Sequence, residues 1–182
     1  MTTTTMDLAR LRESLETANN DESLFQSIVN APFEQRVAAA FLFLGIVVFL
    51  QVNKTDGTID RIALSDTELA KNTTDVSVVP FARIRVPLAQ PENIIAQAIR
   101  TGKPQDTTDW KYLFEPALTP EQARINQASA GIAYSAVYPL KSRDGGALIF
   151  SYFQYEHGVT KDHHAFMMAY TKLVDERLQV QA

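Results

Sequence analysis

The stretch over residues 135–155, SAVYPLKSRDGGALIFSYFQY, constrains the fold more than any other. Two runs rich in Val, Tyr, Ile and Phe flank Asp144-Gly145, a pair that readily supplies the positive φ angles of a tight turn. They read as the antiparallel strands of one hairpin. With that pair at the turn centre, the predicted register sets Leu140 opposite Ile149, Tyr138 opposite Ser151 and Ala136 opposite Phe153 on one face. Pro139 with Phe150 and Val137 with Tyr152 share the other. Both faces are largely apolar, and such a hairpin belongs in a sheet covered on both sides, so a layered domain of helices and sheet is implied.

A second hairpin has the same turn chemistry. Residues 46–53 and 58–65 flank Asp56-Gly57, which predicts Phe49 opposite Leu64 and Gln51 opposite Ile62 on one face, with Leu50 opposite Ala63 on the other. Residues 66–75 read as a polar connection with at most a short helical turn. Residues 76–79 and 81–88 read as extended, with Arg83 and Arg85 on one side.

Helical patterns fill the rest of the chain. Leu8, Leu11, Leu15 and Ala18 make a narrow stripe that suits packing on the chain itself or on a second copy. Leu24, Phe25, Ile28 and Val29 form a second short face, stopped by Asn30-Ala31-Pro32, and a third helix is predicted to start near Pro32 and run through Ala38 to Leu44. Residues 91–101 follow, with Pro91 at the first helical position and Gly102 as the C-terminal cap. Thr119-Pro120-Glu121-Gln122 is a capping-box start for a helix ending before Gly131. A last helix over 160–179 presents Met167, Tyr170, Val174 and Leu178 on one face and leaves Asp175, Glu176 and Arg177 largely exposed.

A chain of 182 residues suits one domain. A net charge of −4 provides no basic footprint for a phosphate backbone, which argues against nucleic acid as a partner. The absence of cysteine removes disulfides, thiolate ligands and thiol nucleophiles, and fits a cytoplasmic location. The apolar run at 37–50, VAAAFLFLGIVVFL, falls short of the roughly 20 residues of a bilayer span and lacks basic anchors, so no membrane segment is expected. It reads instead as the end of a helix and, past Gly45, a strand.

In its order of elements, the chain resembles the GAF family of small-molecule-sensing domains, relatives of PAS domains, over roughly residues 32–179. VVFLQVNKTDGTIDRIAL is similar to the family's opening hairpin, NIIAQAIRTGKPQDTTDW to its middle helix and exit, and TPEQARINQASAGIAYSAVYPLKSRDGGALIFSY to its closing run. The resemblance implies an α+β fold: a GAF-like central antiparallel β-sheet with helices packed on it. Residues 1–31 then form an N-terminal helical extension and residues 32–182 the GAF-like domain. It also implies a non-catalytic sensory or regulatory module with a small-ligand pocket over the sheet, self-association as a homodimer through terminal helices, and a signalling protein partner. The family's kinase, cyclase or DNA-binding output domains have no counterpart in this sequence. The chain lacks the cysteine of covalent bilin binders and the cysteines of GAF-like free methionine sulfoxide reductases. Asn53-Lys54-Thr55-Asp56 departs from the Asn-Lys-Phe-Asp-Glu motif of cyclic-nucleotide binders in having Thr for Phe and no following Glu. No cofactor is assigned.

Candidate pocket residues follow from position in that pattern. Arg83 and Arg85 suit either an anionic ligand, through the planar guanidinium fork, or a structural ion pair on a solvated face. Trp110, Tyr112 and Phe114 close over a flat ligand or serve as ordinary core. Asn126 and Gln127 are placed to bond a ligand or to cap and face solvent. Tyr134, Tyr138 and Tyr152 carry hydroxyls that need partners when buried. Glu156, His157, His163 and His164 are the one cluster with metal or acid–base character, but adjacent histidines on a helix point apart and a polar helix start explains them. No nucleophile elbow, phosphate-binding glycine loop or His-Glu-x-x-His motif is present. No catalytic residue or metal ligand is therefore assigned. The alternatives are a small hydrolase or isomerase using the same pocket and a purely structural dimerisation domain with a filled pocket.

Overall fold

The computed structural model describes residues 8–34, 43–142, 144–153 and 158–180. Its strands are β1 (Leu44–Asn53), β2 (Thr58–Leu64), β3 (Arg85–Pro87), β4 (Gln105–Thr107), β5 (Ile132–Leu140) and β6 (Gly146–Phe153). They form one antiparallel six-stranded sheet in the order β3-β2-β1-β6-β5-β4. The two predicted hairpins are its centre, joined through β1 and β6. The helices are α1 (Leu8–Glu16), α2 (Asp21–Glu34), α3 (Glu68–Val76), α4 (Ile94–Thr101), α5 (Lys111–Phe114), α6 (Pro120–Ser129) and α7 (Lys161–Val180). The fold is α+β, and no helix among the described residues is long and apolar enough to cross a membrane.

Both hairpins close on longer loops than predicted, which changes every facing pair. Leu140 sits opposite Gly146, Tyr138 opposite Leu148, Val137 opposite Ile149 and Ser135 opposite Ser151. Asp144 and Gly145 do adopt positive φ. However, the amide N–H groups of Lys141 and Ser142 donate to Asp175 on α7 (3.0 and 2.9 Å), and the Gly145 carbonyl accepts from Val52 on β1. Backbone groups that a two-residue turn would use are thereby drawn off to α7 and β1. In the first hairpin the Asn53 carboxamide oxygen accepts from the N–H groups of Thr55 and Asp56, widening the turn so that Asn53 pairs with Thr58 and Leu50 with Arg61. A bulge between Phe49 and Leu50 then sets Phe49 opposite Ala63 and Val48 opposite Leu64.

Covering of both faces, the expectation drawn from the apolar hairpin, is what the structure shows. On one face α1, α2 and α7 bury Leu11, Leu15, Ile28, Phe166, Tyr170 and Val174 against Phe49, Leu148, Phe150 and Tyr152. On the other, α3 to α6 cover Ile46, Val48, Leu50, Val137 and Ile149. The α1 stripe is used within the chain. Arg177 reaches across from α7 to donate to the carbonyls of Leu15 and Ala18 near the end of α1 (3.2 and 3.3 Å). Asp175, Glu176 and Arg177 are accordingly half-buried rather than exposed.

Several predicted boundaries move. Helix α2 continues through Pro32 instead of stopping before it, because the buried Ile28 carbonyl that proline leaves without a helical N–H accepts from the Tyr170 hydroxyl (2.7 Å). It crosses residues 31 and 32, the expected edge between extension and domain. The connection over 66–75 is mostly helix α3, capped by Thr67, whose hydroxyl accepts from the Ala70 N–H. Val76 ends that helix, Phe81–Arg83 is a 3-10 turn, and only Arg85–Pro87 of the expected strand joins the sheet. Helix α4 starts at Ile94 with Asn93 as cap rather than at Pro91, while Gly102 takes the left-handed cap as expected. The capping box at Thr119 and Gln122 is present as predicted. The helix expected over 38–44 falls outside the described residues up to residue 42. Strand β1 already begins at Leu44, and at Gly45 a Cβ would lie 2.6 Å from Leu69 Cδ1, so this glycine admits α3 and does not break the strand.

Candidate functional site

On the face covered by α3 to α6, the sheet and its cover do not close completely. A cavity of about 500 Å³ including its mouth lies over Ile46 and Val48 of β1, Arg61 and Leu64 of β2, and Ile149 and Ser151 of β6. Its cover is Thr73, Thr74 and Ser77 from the α3 end, Phe81 and Ile84, Trp110, Leu113 and Phe114 around α5, and Asn126 of α6. The space open to the centre of a water molecule is about 40 Å³, room for roughly three waters.

The lining is apolar except for a few groups, and one is charged. Arg61 is 6% exposed, and its Nε and Nη2 are buried without a hydrogen-bond partner. Its guanidinium lies 4.4 Å from the centroid of the Phe114 ring, a cation–π contact that does not satisfy the N–H groups. Burial pushes its pKa down to about 9, which still leaves it charged at neutral pH. An uncompensated buried charge is costly to the folded state, and an acceptor for Nε and Nη2 would offset that cost.

The cover is built to hold its position. Gln127 accepts from the Trp110 N–H (2.9 Å) and donates to the carbonyls of Thr108 and Ile132. Arg124 donates to Asp109, whose carboxyl is held below its ordinary value: burial opposes this, but hydrogen bonds from Arg124 and the Lys111 N–H outweigh it. Asn93, fully buried, donates to the carbonyls of Leu113 and Glu115 (3.1 and 2.9 Å) and accepts from the N–H groups of Ile95 and Ala96, tying α5 to α4. At the rim, Asn126 Nδ2 donates to Ser77 Oγ (3.1 Å).

Of the candidate residues, Trp110, Phe114 and Asn126 line this cavity, and Tyr112 sits half-buried beside it with Lys111 Nζ 4.4 Å from its ring centroid. Arg83 and Arg85 are exposed, and Arg85 pairs with Asp56 and Asp60 (3.6 and 3.5 Å). Tyr134, Tyr138 and Tyr152 belong to the opposite face, with Tyr138 bonded to His164 Nδ1 (2.9 Å). The observed register puts Tyr138 and Tyr152 on one face, where the predicted register set them apart. Glu156 and His157 lie outside the described residues, and no group of three metal-ligating side chains occurs among the described ones. Arg61 was missed, although its sequence has a signal: in TIDRIAL it stands two residues from Ile59, a charge on an apolar register, while the irregularity beyond it turns Ala63 to the other face.

Comparison with known proteins now adds the fold. No family model and no curated protein matches the sequence. Among solved structures, the GAF domain of an Acinetobacter phosphoenolpyruvate-protein phosphotransferase superposes with a TM-score of 0.62 at 10% identity, covering 94% of this chain and 89% of that one. A fragment of a methyl-accepting chemotaxis protein superposes at 0.61 with 9% identity, over 92% and 93% of the two chains. A free methionine-R-sulfoxide reductase of Neisseria meningitidis, solved with its substrate, superposes at 0.59 with 14% identity, over 96% and 88%. The chain has a GAF-like fold.

Proposed function

We propose that this protein is a sensory or regulatory GAF-type module that takes up a small molecule in the cavity between sheet and cover and passes its occupancy to a protein partner. The single observation that carries the reading is Arg61, a buried guanidinium lining a largely apolar cavity with its Nε and Nη2 unpaired. A domain whose pocket served only for association would gain stability by replacing that charge with an apolar side chain. An enzymatic use of the cavity has less support, since Arg61 is the one ionisable lining residue among the described ones and the chain has no cysteine for thiol chemistry.

Native and denaturing mass spectra of the purified protein test this. An extra mass that leaves on denaturation supports the module and identifies the ligand. A bare protein that no small molecule stabilises sinks it. The same spectra give the oligomeric mass. A homodimer, also part of this proposal, would use outer surfaces such as that of α7, where Met168 and Val180 are exposed, because the α1 stripe is already covered.

A further inference from the structure

We propose that the occupant is a small monocarboxylate with an apolar body, its carboxylate gripped by the Nε–Nη2 edge of Arg61; this rests on the cavity being a ligand site. Nε and Nη2 are the two nitrogens on one side of a guanidinium, and their N–H groups match the two oxygens of a carboxylate as a parallel pair of hydrogen bonds. Both are the atoms left without an acceptor. A single negative charge balances the single guanidinium. The other described lining side chains are apolar, hydroxyl or amide, with no second cation among them, so a phosphate dianion would be undercompensated in this low-dielectric site.

The far wall adds a second polar point. The indole N–H of Trp110 can only donate, so Ser135 Oγ accepts from it (2.8 Å), and Ser135 and Ser151 share one hydroxyl hydrogen at 2.7 Å. One hydroxyl hydrogen of the pair is left over. With Ser135 donating to Ser151, that hydrogen is on Ser151, which lines the cavity. Arg61 pairs with Leu50 and Ser151 with Ile46, so the two backbone positions are separated by roughly 13 Å along β1. Between them lie Val48, Ile149 and Phe114, which suit a hydrocarbon or aromatic body, and the narrow open space favours a molecule of few atoms.

Thermal melting and isothermal titration of the full chain against butyrate and benzoate, their amides butyramide and benzamide, and phenylphosphonate decide the matter. The expected result is that a carboxylate raises the melting temperature and its amide does not. Arg61→Met, with unchanged circular dichroism, should bind the carboxylate about a hundredfold or more weaker. Arg61→Lys keeps the charge but loses the fork, so its weaker binding tests the grip even where Arg61→Met does not fold. An amide or the phosphonate binding as well as the carboxylate overturns the assigned class while leaving the cavity a ligand site. Undiminished carboxylate binding by both Arg61 variants does the same. Failure of every compound to bind also overturns the class. The wider reading then falls too only where the native mass spectrum of the protein as purified shows no released small molecule.

Discussion

Asn93 holds the Leu113 carbonyl at 3.1 Å from a position with no exposure to solvent, and the same carboxamide caps the start of α4. One side chain therefore sets both the helix and the cover of the cavity. Asn93→Ala removes the cap and leaves two carbonyls without donors, a loss of about 3 kcal/mol or more in urea denaturation. Asn93→Asp keeps the cap but sets a carboxylate against those carbonyls. An Asn93→Asp variant as stable as the parent would show that the bonds to Leu113 and Glu115 contribute nothing.

Tyr170 and Pro32 form a compensated pair around the Ile28 carbonyl. Tyr170→Phe should cost about 1–2 kcal/mol by orphaning that buried carbonyl. Pro32→Ala restores the missing helical donor, so in its background the Tyr170→Phe cost should shrink by about 1 kcal/mol in a double-mutant cycle. Additive effects would mean that the hydroxyl and the proline are unrelated.

His163 makes stability depend on pH. Its Nδ1 accepts from the N–H of Thr160 and is bonded to that residue's hydroxyl (2.7 Å), an arrangement that requires the unprotonated nitrogen at the start of α7. Burial lowers its pKa, with His164 acting in the same direction and Asp162 opposing. The unfolded chain therefore takes up the proton first. The contribution is complete above about pH 6.5 and is lost as pH falls through the folded value. Denaturant midpoints measured between neutral and mildly acidic pH should decline in the parent and decline less in His163→Gln; parallel curves would remove His163 as the cause.

Two glycines should respond differently to alanine. A Cβ at Gly146 would lie 2.3 Å from the Leu50 carbonyl oxygen, so Gly146→Ala forces β1 and β6 apart and should cost about 3 kcal/mol or prevent folding. Gly57 has φ +66° but nothing within 4 Å of an added Cβ, so Gly57→Ala should cost only about 1 kcal/mol of backbone strain. Thermal melts that rank the pair the other way round would contradict the close contact of the central strands.

What the residues disclose in advance is local chemistry. Thr119, Gln122 and Gly102 carry their conformations in their own side chains or lack of one, and the two Asp-Gly turns mark their hairpins. The facing pairs are not legible, because they depend on bonds between distant residues: Asp175 takes the N–H groups of Lys141 and Ser142, thirty or so positions away. Pro32 misleads for the same reason, since its compensation comes from Tyr170. For the cavity, Trp110, Phe114 and Asn126 could be placed by pattern. Arg61 could have been found by asking why a charge interrupts the apolar row of β2. Tyr138 and Tyr152 share a face in the structure although the predicted register set them apart, because an odd shift in register turns one strand over relative to its partner.

Strand β6 is built as a rack with teeth on both sides. Ser151 meshes with the cavity, and its neighbour Tyr152 meshes with His163 on α7, the two rings 5.3 Å apart. A single peptide unit thus separates the chamber from the long terminal helix.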